Sequence, residues 1–410
     1  MEGILEKALD ELQIDTSDWV LTKFGDVAIQ QKQNVNRENT DLTWYVKGEH
    51  MGSEDLHLRS WGELQDEYLG PAFIRRFDEG DILYGSRRTY LRKVVMAPFS
   101  GITSNTTFVI KANEERIEKR LLPFIMMSEG FTENSIRNSK GSVNPYINWK
   151  DIAKYEFFLP PKDQQAELAK LLWAMDEVIE REKCLFDTLE SSLQANIEKE
   201  IHGIDLKNKV IREVLEELSN KVELVRLSEL GELLKGKGIP KSDVRNEGFP
   251  CVRYGELYTK HHRVIRDFHS FIAEEDRSKS FKLKKNDILF ASSGETITEI
   301  GKSAAFVSEI EAYAGSDTLL FRPYEMDGYY LGYLMNSKLV RQQLNKYGTG
   351  ATVMHIYNSD LAKVKVPKID LETQMQISQI LEAIYEGVLK TKSKLDSSKA
   401  LQKSLINQIF

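Results

Sequence analysis

The stretch that decides the fold occurs twice in this chain. Residues 151–179 read DIAKYEFFLPPKDQQAELAKLLWAMDEVI, and residues 360–388 read DLAKVKVPKIDLETQMQISQILEAIYEGV. Both pass from a short apolar run through proline into apolar residues at helical spacing. The offset between them is 360 − 151 = 209 residues. A period of this length is far longer than that of solenoid repeats and indicates two copies of a whole module.

Further matches between the copies keep their order, and their offsets change slightly where loops differ in length. The matched stretches are residues 4–12 (ILEKALDEL) with 210–218 (VIREVLEEL), 80–84 (GDILY) with 286–290 (NDILF), 104–106 (SNT) with 316–318 (SDT), and 140–142 (KGS) with 349–351 (TGA). Framework positions agree while the stretches between them differ. We therefore expect two copies of one fold that contact different things.

Composition places the chain among ordinary soluble proteins. Its 410 residues are 41% hydrophobic and 29% charged, which leaves room for two or three domains. No apolar run approaches the length of a membrane span, and the start MEGILEKALDE is neither a signal nor a transit peptide. We expect a cytoplasmic protein. The two cysteines, Cys184 and Cys251, indicate neither a disulfide framework nor a zinc ribbon.

Charge is divided between segments. The net charge of the chain is −7, yet residues 223–290 carry fourteen basic and eleven acidic residues, and residues 162–200 carry five basic and ten acidic. Basic residues of the first copy cluster around residues 75–93, and those of the second around residues 235–245, 260–266 and 277–285. The overall charge is therefore a poor guide to the partners of this protein.

Two long helices follow the repeated stretch. Their apolar residues step by threes and fours, the spacing of a coiled-coil seam, with one polar position in each seam, Glu182 and Thr391. Each helix could cover about forty residues, or roughly 60 Å at 1.5 Å per residue. We expect the helices to pack on each other as an antiparallel pair; the alternative is that each packs on its own module. Seam positions are Leu168, Leu172, Met175, Ile179, Phe186, Leu189 and Leu193, then Ile377, Leu381, Ile384, Val388 and Leu395.

Between these helices, each copy contains a variable stretch that is rich in strand signals. Short runs such as residues 93–97, 107–110, 287–290 and 304–307 alternate with Gly, Ser and Asn turns, and helices are predicted near residues 121–127 and 329–335. The predicted fold class is α+β, with two similar domains that have small mixed β-rich cores, each built on a curved sheet. The long helices join them in an internal pseudo-two-fold repeat.

Several apparent catalytic motifs fail on spacing. Residues 301–303 (GKS) end like a phosphate loop, but the required glycine is replaced by Thr296. Residues 144–146 (NPY) lack the second proline of the amino-methyltransferase tetrapeptide. His261, His262 and His269 could bind a metal, but basic neighbours favour a solvated or phosphate-facing loop. No set of nucleophile, base and orienting group is present in the sequence, so we expect neither a catalytic nor a metal site.

The loops instead carry side chains suited to DNA. Residues 85–90 (GSRRTY) place two guanidinium groups, hydroxyls and an aromatic ring on one turn after a strand, and arginine binds both guanine edges and phosphates. A second glycine-bearing loop follows in each copy; the alternative is that all these loops are solvated turns. The predicted DNA-binding residues are Ser86, Arg87, Arg88, Tyr90, Lys140, Ser142, Asn144, Lys235, Lys237, Arg253, Tyr254, Ser292, Ser293, Thr296, Lys302, Tyr347, Thr349 and Thr352.

These motifs resemble those of one family. DILFASSGETITEIGKSA (287–304) and GDILYGSRRTYLRKVV (80–95) resemble two variants of the strand-turn signature of target-recognition domains in type I restriction-modification specificity subunits. The proline, glutamine and apolar heptads that open each long helix are similar to the helix-opening motif of the same family. The resemblance covers essentially the full chain. Residues 366–368 lack the double proline, and Glu295 and Glu299 make the second turn unusually acidic.

The resemblance implies a non-catalytic subunit that reads double-stranded DNA with a bipartite site. Its partners would be two methyltransferase subunits and the restriction and translocase subunits, docked on the acidic long helices. S-adenosylmethionine and ATP would belong to those partners, and this subunit would hold no cofactor. The alternatives are a coiled-coil scaffold that does not read DNA, or the specificity module of a self-contained restriction or methylation enzyme.

The implied organisation has five parts. Residues 1–13 form a helix that completes the pseudo-symmetric framework, and residues 14–159 form the first target-recognition domain. Residues 160–221 contain the first long helix and a connector. Residues 222–366 form the second domain, and residues 367–410 the second long helix.

Overall fold

The computed structural model describes residues 15–36, 39–202, 211–294, 300–347 and 354–410. It divides into two compact units, which we call module 1 (residues 1–184 and 392–410) and module 2 (residues 185–391). Each long helix contributes one part to each module. The helix predicted at residues 1–13 and the loop at residues 349–351 lie outside the described residues.

Module 1 contains ten strands and four short helices among its described residues, followed by the start of the long helix α5. In chain order they are β1 Val20–Lys23, α1 Phe24–Val27, β2 Ala28–Gln31, β3 Trp44–Val46, β4 Gly62–Glu63, β5 Phe73–Phe77, β6 Ile82–Gly85, β7 Val94–Met96, β8 Gly101–Ser104, β9 Thr107–Ala112, α2 Leu122–Met127, α3 Glu129–Arg137, α4 Trp149–Ile152, β10 Glu156–Leu159 and α5 Lys162–His202.

After the end of α5 the chain repeats this order with some additional elements. In chain order the elements are α6 Ile211–Ser219, β11 Leu224–Arg226, α7 Leu227–Leu230, β12 Gly231–Lys235, β13 Phe249–Val252, α8 Glu256–Thr259, β14 Arg263–Val264, β15 Ser270–Ile272, β16 Phe281–Lys282, β17 Asp287–Ala291, β18 Ser293–Gly294, β19 Ser303–Phe306, β20 Tyr313–Ala314, β21 Thr318–Pro323, α9 Gly328–Asn336, α10 Lys338–Tyr347, β22 Met354–His355, α11 Asn358–Leu361, β23 Lys365–Pro367 and α12 Leu371–Ile409. The additional elements are α6, α8, β14, β18 and β22, and the last half of α12 returns to module 1.

Each module contains two sheets of four or five strands together with smaller two-stranded sheets, which agrees with the predicted α+β class. Module 1 has the strand orders β2-β9-β6-β7 and β4-β3-β8-β5, and module 2 has β12-β21-β17-β19-β14 and β15-β13-β20-β16. Parallel pairs inside these sheets, β3 with β8 and β13 with β20, need long connections. Because such partners lie far apart in sequence, alternation within short runs could not assign strands to sheets.

Strand register confirms the repeat and corrects one of its matches. Gly85 pairs with Thr107 in module 1, and Ala291 pairs with Thr318 in module 2. Thr318 is therefore equivalent to Thr107, and residues 104–106 match residues 315–317, one position earlier than the sequence comparison suggested. The correction matters because a shift of one residue moves every strand side chain to the opposite face of its sheet.

The long helices pair antiparallel, as predicted. In module 1, Gln402 of α12 donates a hydrogen bond to the carbonyl oxygen of Leu172 of α5, at 3.2 Å. In module 2, Leu193 of α5 shares a core cluster with Ile377 and Leu381 of α12. The helices span 41 and 39 residues, close to the predicted forty. Their apolar stripes also pack on the modules, so both packing arrangements considered from the sequence occur together.

The far end of each helix closes the core of a module in an equivalent way. Asn407 of α12 accepts a hydrogen bond at 2.8 Å from the backbone N–H of Glu129, where α3 begins. Glu198 of α5 accepts one at 3.0 Å from the backbone N–H of Lys338, where α10 begins. Both pairs obey the 209-residue offset, because 407 − 198 and 338 − 129 are each 209. Carboxylate and amide oxygens at these places satisfy N–H groups that the helices leave free.

Candidate nucleic-acid interface

Strand ends of both sheets meet at one edge of module 1. Strand β6 ends at Gly85, beside the start of β9 at Thr107, and β7 begins at Val94, opposite Tyr84. In the other sheet, the parallel strands β3 and β8 point toward the same cleft, which is lined by residues following β3 and by Ser104. Loops that leave these ends are exposed while the strands fix their positions, an arrangement typical of binding sites.

The two predicted DNA-binding loops of module 1 are hydrogen-bonded to each other. The N–H of Ile147 donates to the carbonyl oxygen of Ser86 at 2.9 Å, and the N–H of Arg88 donates to that of Pro145 at 2.6 Å. Arg88 has the left-handed backbone conformation, with φ of 49°. This turn places Arg87 and Arg88 next to the loop that carries Asn144. The structure therefore joins two loops that the sequence could only propose as partners.

Side chains on these loops fall into two groups. Arg87, Arg88, Tyr90, Ser142 and Asn144 are exposed. Neither arginine forms an ion pair or a side-chain hydrogen bond with any residue that the structure describes. Such unpaired guanidinium groups can bind a DNA phosphate or a base edge without breaking a protein contact.

The other two predicted residues of module 1 already have partners. Ser86 is buried, and its hydroxyl donates to the carbonyl oxygen of Thr106. Lys140 is exposed but lies 3.7 Å from a carboxylate oxygen of Asp151. The structure thus gives Ser86 a supporting position below the loop, and a DNA contact by either residue stays a prediction.

A cleft of about 580 Å³ opens beside this turn. It is lined by four cationic side chains, Lys47, Arg87, Arg88 and Lys93, and among the described lining residues by one carboxylate, Glu49. Burial, followed by the nearby charge of Arg88, lowers the pKa of Lys93 below its usual value. Four cationic side chains against one carboxylate give the cleft a net positive charge, so it favours an anionic group such as a phosphate.

Module 2 reproduces the backbone of this site with different side chains. The N–H of Ile356 donates to the carbonyl oxygen of Ser292 at 3.0 Å, and the Ser292 hydroxyl donates to the backbone carbonyl oxygen of Asp317 at 2.6 Å. Ser293 pairs with His355 as Arg87 pairs with Tyr146. The two arginines of module 1 are thus replaced by Ser293 and Gly294.

Four predicted basic or aromatic residues of module 2 follow strand ends at the same edge. Lys235 ends β12, and the N–H of Lys237 donates to the carbonyl oxygen of Ala314 at the end of β20. Arg253 and Tyr254 follow β13 directly. The structure therefore brings them together with Ser292 at one edge of the module.

Other predicted residues of module 2 can be placed only in part. Lys302 precedes β19, at the same edge. Thr296, Thr349 and Thr352 lie outside the described residues, as does the side chain of Tyr347.

Sequence reasoning missed two cations of module 1, Lys47 and Lys93. Both line the cleft. A signal for them exists, because they precede Arg253 and Lys302 by 206 and 209 residues, the offsets of the framework. Applying the offsets to the predicted residues of module 2 identifies them.

Some residues of the basic cluster at residues 260–266 are buried or paired within module 2. Arg263 is buried with its guanidinium over the ring of Tyr333, and Arg266 donates two hydrogen bonds of 2.8 Å to Glu382. His261 is buried as well, which lowers its pKa to about 4. The solvated or phosphate-facing loop expected there is therefore wrong for Arg263 and His261. Their partners lie far along the chain, where sequence neighbours give no hint of them.

Within the described part of the chain, the structure contains no group of three or more His, Cys, Asp or Glu side chains that could hold a metal ion. No described helix is long and apolar enough to cross a membrane.

The sequence model of one protein family matches both modules. It is described as "Type I restriction modification DNA specificity domain" and matches residues 16–191 and 219–397, which together are most of the chain. The chain belongs to this family. Its predicted function, DNA sequence specificity in a restriction-modification complex, is thereby confirmed.

One family member is similar over nearly the whole length and another over less than half of it. The chain is 22% identical over 384 residues to the type I restriction enzyme MjaVIII specificity subunit of Methanocaldococcus jannaschii, covering 88% of this chain and 89% of that protein. It is 30% identical over 178 residues to the EcoDI specificity subunit of Escherichia coli, covering 42% and 38%.

Solved structures of family members share the fold. The type I restriction-modification S subunit from M. genitalium has a TM-score of 0.61, with 15% identity and 98% of each chain covered. A protein solved in work on complex assembly and conformational transition of the type I R-M system has a TM-score of 0.56, with 19% identity and 97% of each chain covered. At these identities the likeness supports the two-module architecture alone.

Proposed function

We propose that each module reads one half of a bipartite site in double-stranded DNA. One observation carries the proposal: the modules share the backbone of the turn and its neighbouring loop, but differ in the exposed side chains at the same positions. Arg87 and Arg88 of module 1 correspond to Ser293 and Gly294 of module 2. A common framework with different side chains suits two recognition surfaces that bind DNA alike and read different bases.

We further propose that the chain is non-catalytic and works with partners. Two methyltransferase subunits would supply S-adenosylmethionine, and restriction and translocase subunits would supply ATP-dependent cleavage. Support comes from the family and from a structural neighbour described in terms of complex assembly in the type I R-M system. The exposed acidic residues of α5 and α12 are suitable docking positions. Since the substrate would be cellular DNA, the complex would act in the cytoplasm.

Sequencing of modified adenines tests the reading of a bipartite site. The chain is expressed with the modification subunits of its own system in a host that otherwise lacks adenine methylation. We expect methylation at one sequence with two specified halves and an unspecified gap. A single continuous site, or methylation without sequence preference, would contradict one half-site per module.

A second experiment tests the absence of catalysis. The purified chain is mixed with labelled S-adenosylmethionine and DNA that contains the identified site. We expect no methyl transfer until the modification subunits are added. Transfer by the chain alone would favour a self-contained enzyme.

A further inference from the structure

One cationic position occurs at the same place in both modules. Lys93 directly precedes β7, and its carbonyl oxygen accepts a hydrogen bond of 3.0 Å from the N–H of Gly85, where the turn begins. Lys302 directly precedes β19, and its carbonyl oxygen accepts one of 2.9 Å from the N–H of Ala291. Because Gly85 and Ala291 are equivalent by strand register, the two lysines are equivalent as well.

A second cationic position is repeated in the other sheet. Lys47 follows β3, whose last residue Val46 pairs with Thr103 of the parallel strand β8. Arg253 follows β13, whose last residue Val252 pairs with Ala314 of β20. Thr103 and Ala314 each lie four residues before the equivalent threonines, 107 and 318. We call Lys47, Lys93, Arg253 and Lys302 the framework cations.

The surroundings of the framework cations leave positive charge available. The ammonium group of Lys93 donates to the carbonyl oxygen of Gly48, which fixes its position without neutralising it. The side chains of Arg253 and Lys302 form no ion pair or hydrogen bond with the described residues, although the backbone N–H of Arg253 donates to Glu256 at 2.8 Å. Lys47 differs, because its ammonium group lies 2.6 Å from Glu67 and 3.6 Å from Glu49.

We propose that the framework cations hold backbone phosphates of the DNA, in the same way in both half-sites. The proposal rests on the proposed function and extends it by dividing the site into two parts. Phosphates are identical at every base pair, so contacts to them can keep one position in both modules. Base edges differ between half-sites, and the residues that face them must differ too. Arg87 and Arg88 of module 1, against Ser293 and Gly294 of module 2, are in that variable part.

The proposal also predicts a difference among the four cations. A phosphate at Lys47 must compete with Glu67, while a phosphate at Lys93, Arg253 or Lys302 displaces no carboxylate among the described residues. The guanidinium of Arg253 can contact two phosphate oxygens at once, whereas an ammonium acts as a point charge. Lys47 is therefore the weakest contact of the set.

Salt dependence of binding tests the proposal in the complex assembled with modification subunits. Affinity for a duplex with the identified site and for an unrelated duplex is measured across salt concentrations. For Lys93→Gln, Lys302→Gln and Arg253→Gln, we expect the slope of log K against log salt to fall by about one per residue. Both duplexes should be affected alike, and the methylated sequence should not change. Lys47→Gln should give a smaller decrease.

Two kinds of control variant separate charge from structure. Lys93→Arg and Lys302→Arg keep the charge and should keep the wild-type slope. Lys111→Gln and Lys285→Gln remove cations near the opposite ends of β9 and β17, and should also leave it unchanged. An unchanged slope in the framework variants would overturn the proposal. So would a changed methylated sequence, because the residue would then read a base.

Failure of this proposal differs from failure of the proposed function. If the wild-type complex methylates no bipartite site, the proposed function is wrong whatever the variants do. If the wild-type complex methylates one and the framework variants keep the wild-type salt slope, only the assignment of phosphate contacts fails.

Discussion

The two modules are most alike where their backbones turn and least alike where their side chains are exposed. At the turn after β6 and β17, the same three hydrogen bonds occur: serine hydroxyl to carbonyl, isoleucine N–H to serine carbonyl, and turn N–H to lysine carbonyl. At the next two positions, module 1 has Arg87 and Arg88, whereas module 2 has Ser293 and Gly294. Mutation of the exposed residues can therefore change the DNA sequence that a module recognises without changing the hydrogen bonds that hold its turn.

The modules also differ beside the turn. In module 2, the N–H of Ser316 donates to the carbonyl oxygen of Gly238 at 2.9 Å, so the segment after β12 crosses over the end of β20. A Cβ on Gly236 would lie 2.0 Å from the carbonyl oxygen of Gly315, so this crossing requires glycine. In module 1, the residue equivalent to Gly315 is Ser104. It lines the open cleft, because the segment after β2 runs along β5 instead. Loop paths, as well as side chains, distinguish the two surfaces.

The largest expected difference between the modules is in the free energy of unfolding that is lost when the cationic partner of a buried carboxylate is removed. Asp287 is fully buried and accepts hydrogen bonds of 2.8 and 2.6 Å from Arg322. Arg322→Met would leave this charge unpaired, at a cost of about 3–5 kcal/mol. The equivalent carboxylate of module 1, Asp81, is also buried, but its partner Lys111 is well exposed, lies 3.6 Å away and is nearer to Asp78, at 3.2 Å. Lys111→Met should therefore cost less than about 1 kcal/mol.

Hydrogen exchange of the intact chain measures both effects. Amides of β17 and β21 should lose protection in Arg322→Met, while those of β6 and β9 should change little in Lys111→Met. Equal losses of protection would mean that the two ion pairs stabilise their modules to the same extent. The difference in exposure between Arg322 and Lys111 would then have no effect on stability.

The next effect concerns specificity and should be confined to module 1. If Arg87 or Arg88 reads a base, its replacement by Ala should cost about 1–3 kcal/mol and relax one position of one half-site. If both hold phosphates, affinity should fall for all sequences and the salt slope should decrease by about one per residue. Methylation sequencing of the assembled variants distinguishes these outcomes. Ser293→Ala is the matched control, and a change in the same half-site would contradict modular reading.

A smaller effect should be equal in both modules. Ser86→Ala and Ser292→Ala each remove a hydroxyl that donates to the carbonyl oxygen below the turn, Thr106 or Asp317. Each loss should cost about 0.5–1.5 kcal/mol. Exchange of the amides on either side of each turn reports the loss. Markedly unequal effects would show that the shared backbone is not equally supported in the two modules.

The smallest expected effect is a gain in stability toward lower pH that comes from His57 of module 1. The hydrogen bond to Asp176, 2.7 Å away on α5, raises the pKa of His57. A raised pKa in the folded state contributes stability below the unfolded value, and this contribution is lost as pH rises through the folded value. Since the unfolded pKa is about 6.5, local protection of residues 55–59 should be greater near pH 6 than above the folded pKa.

Comparison with a buried histidine of module 2 sharpens this prediction. Burial lowers the pKa of His261 to about 4, so protection around it should change in the opposite direction and fall as pH drops toward 6. His57 is partly exposed, so its contribution should stay below about 1 kcal/mol. His57→Gln should abolish the dependence; persistence of the pH effect in that variant would assign it to another group.

Much of this fold follows from the sequence because its framework repeats. The 209-residue offset predicted both modules, and the apolar heptads predicted helices of about the right length and their pairing. Short strands in parallel pairs could not be assigned to sheets, because β3 and β8 are joined by a connection of 54 residues, 47–100. The one-residue error at residues 104–106 has a similar origin: Ser-Asn-Thr and Ser-Asp-Thr look alike, and only strand register separates them.

The site was less predictable than the fold. The turn with Arg87 and Arg88 was identified because its residue types suit DNA, and the structure places it beside the predicted second loop. Charge clustering alone misled at Arg266, whose partner Glu382 lies 116 residues away. It also overlooked Lys47 and Lys93, which line one cleft although the chain separates them by 93 − 47 = 46 residues. Long-range pairing decides which cations stay available, and composition does not report it.

The contribution of residues 392–410 to module 1 has a consequence for biosynthesis. Leu405, Ile406 and Ile409 lie in the same core cluster as Leu168 and its neighbours. A ribosome makes residues 185–391 before it reaches them, so the module begun first is completed last. At about 5–20 residues per second, the delay is roughly 10–40 s. During that time the apolar stripe of nascent α5 near Leu168 lacks its partner, which makes it a natural target for a chaperone.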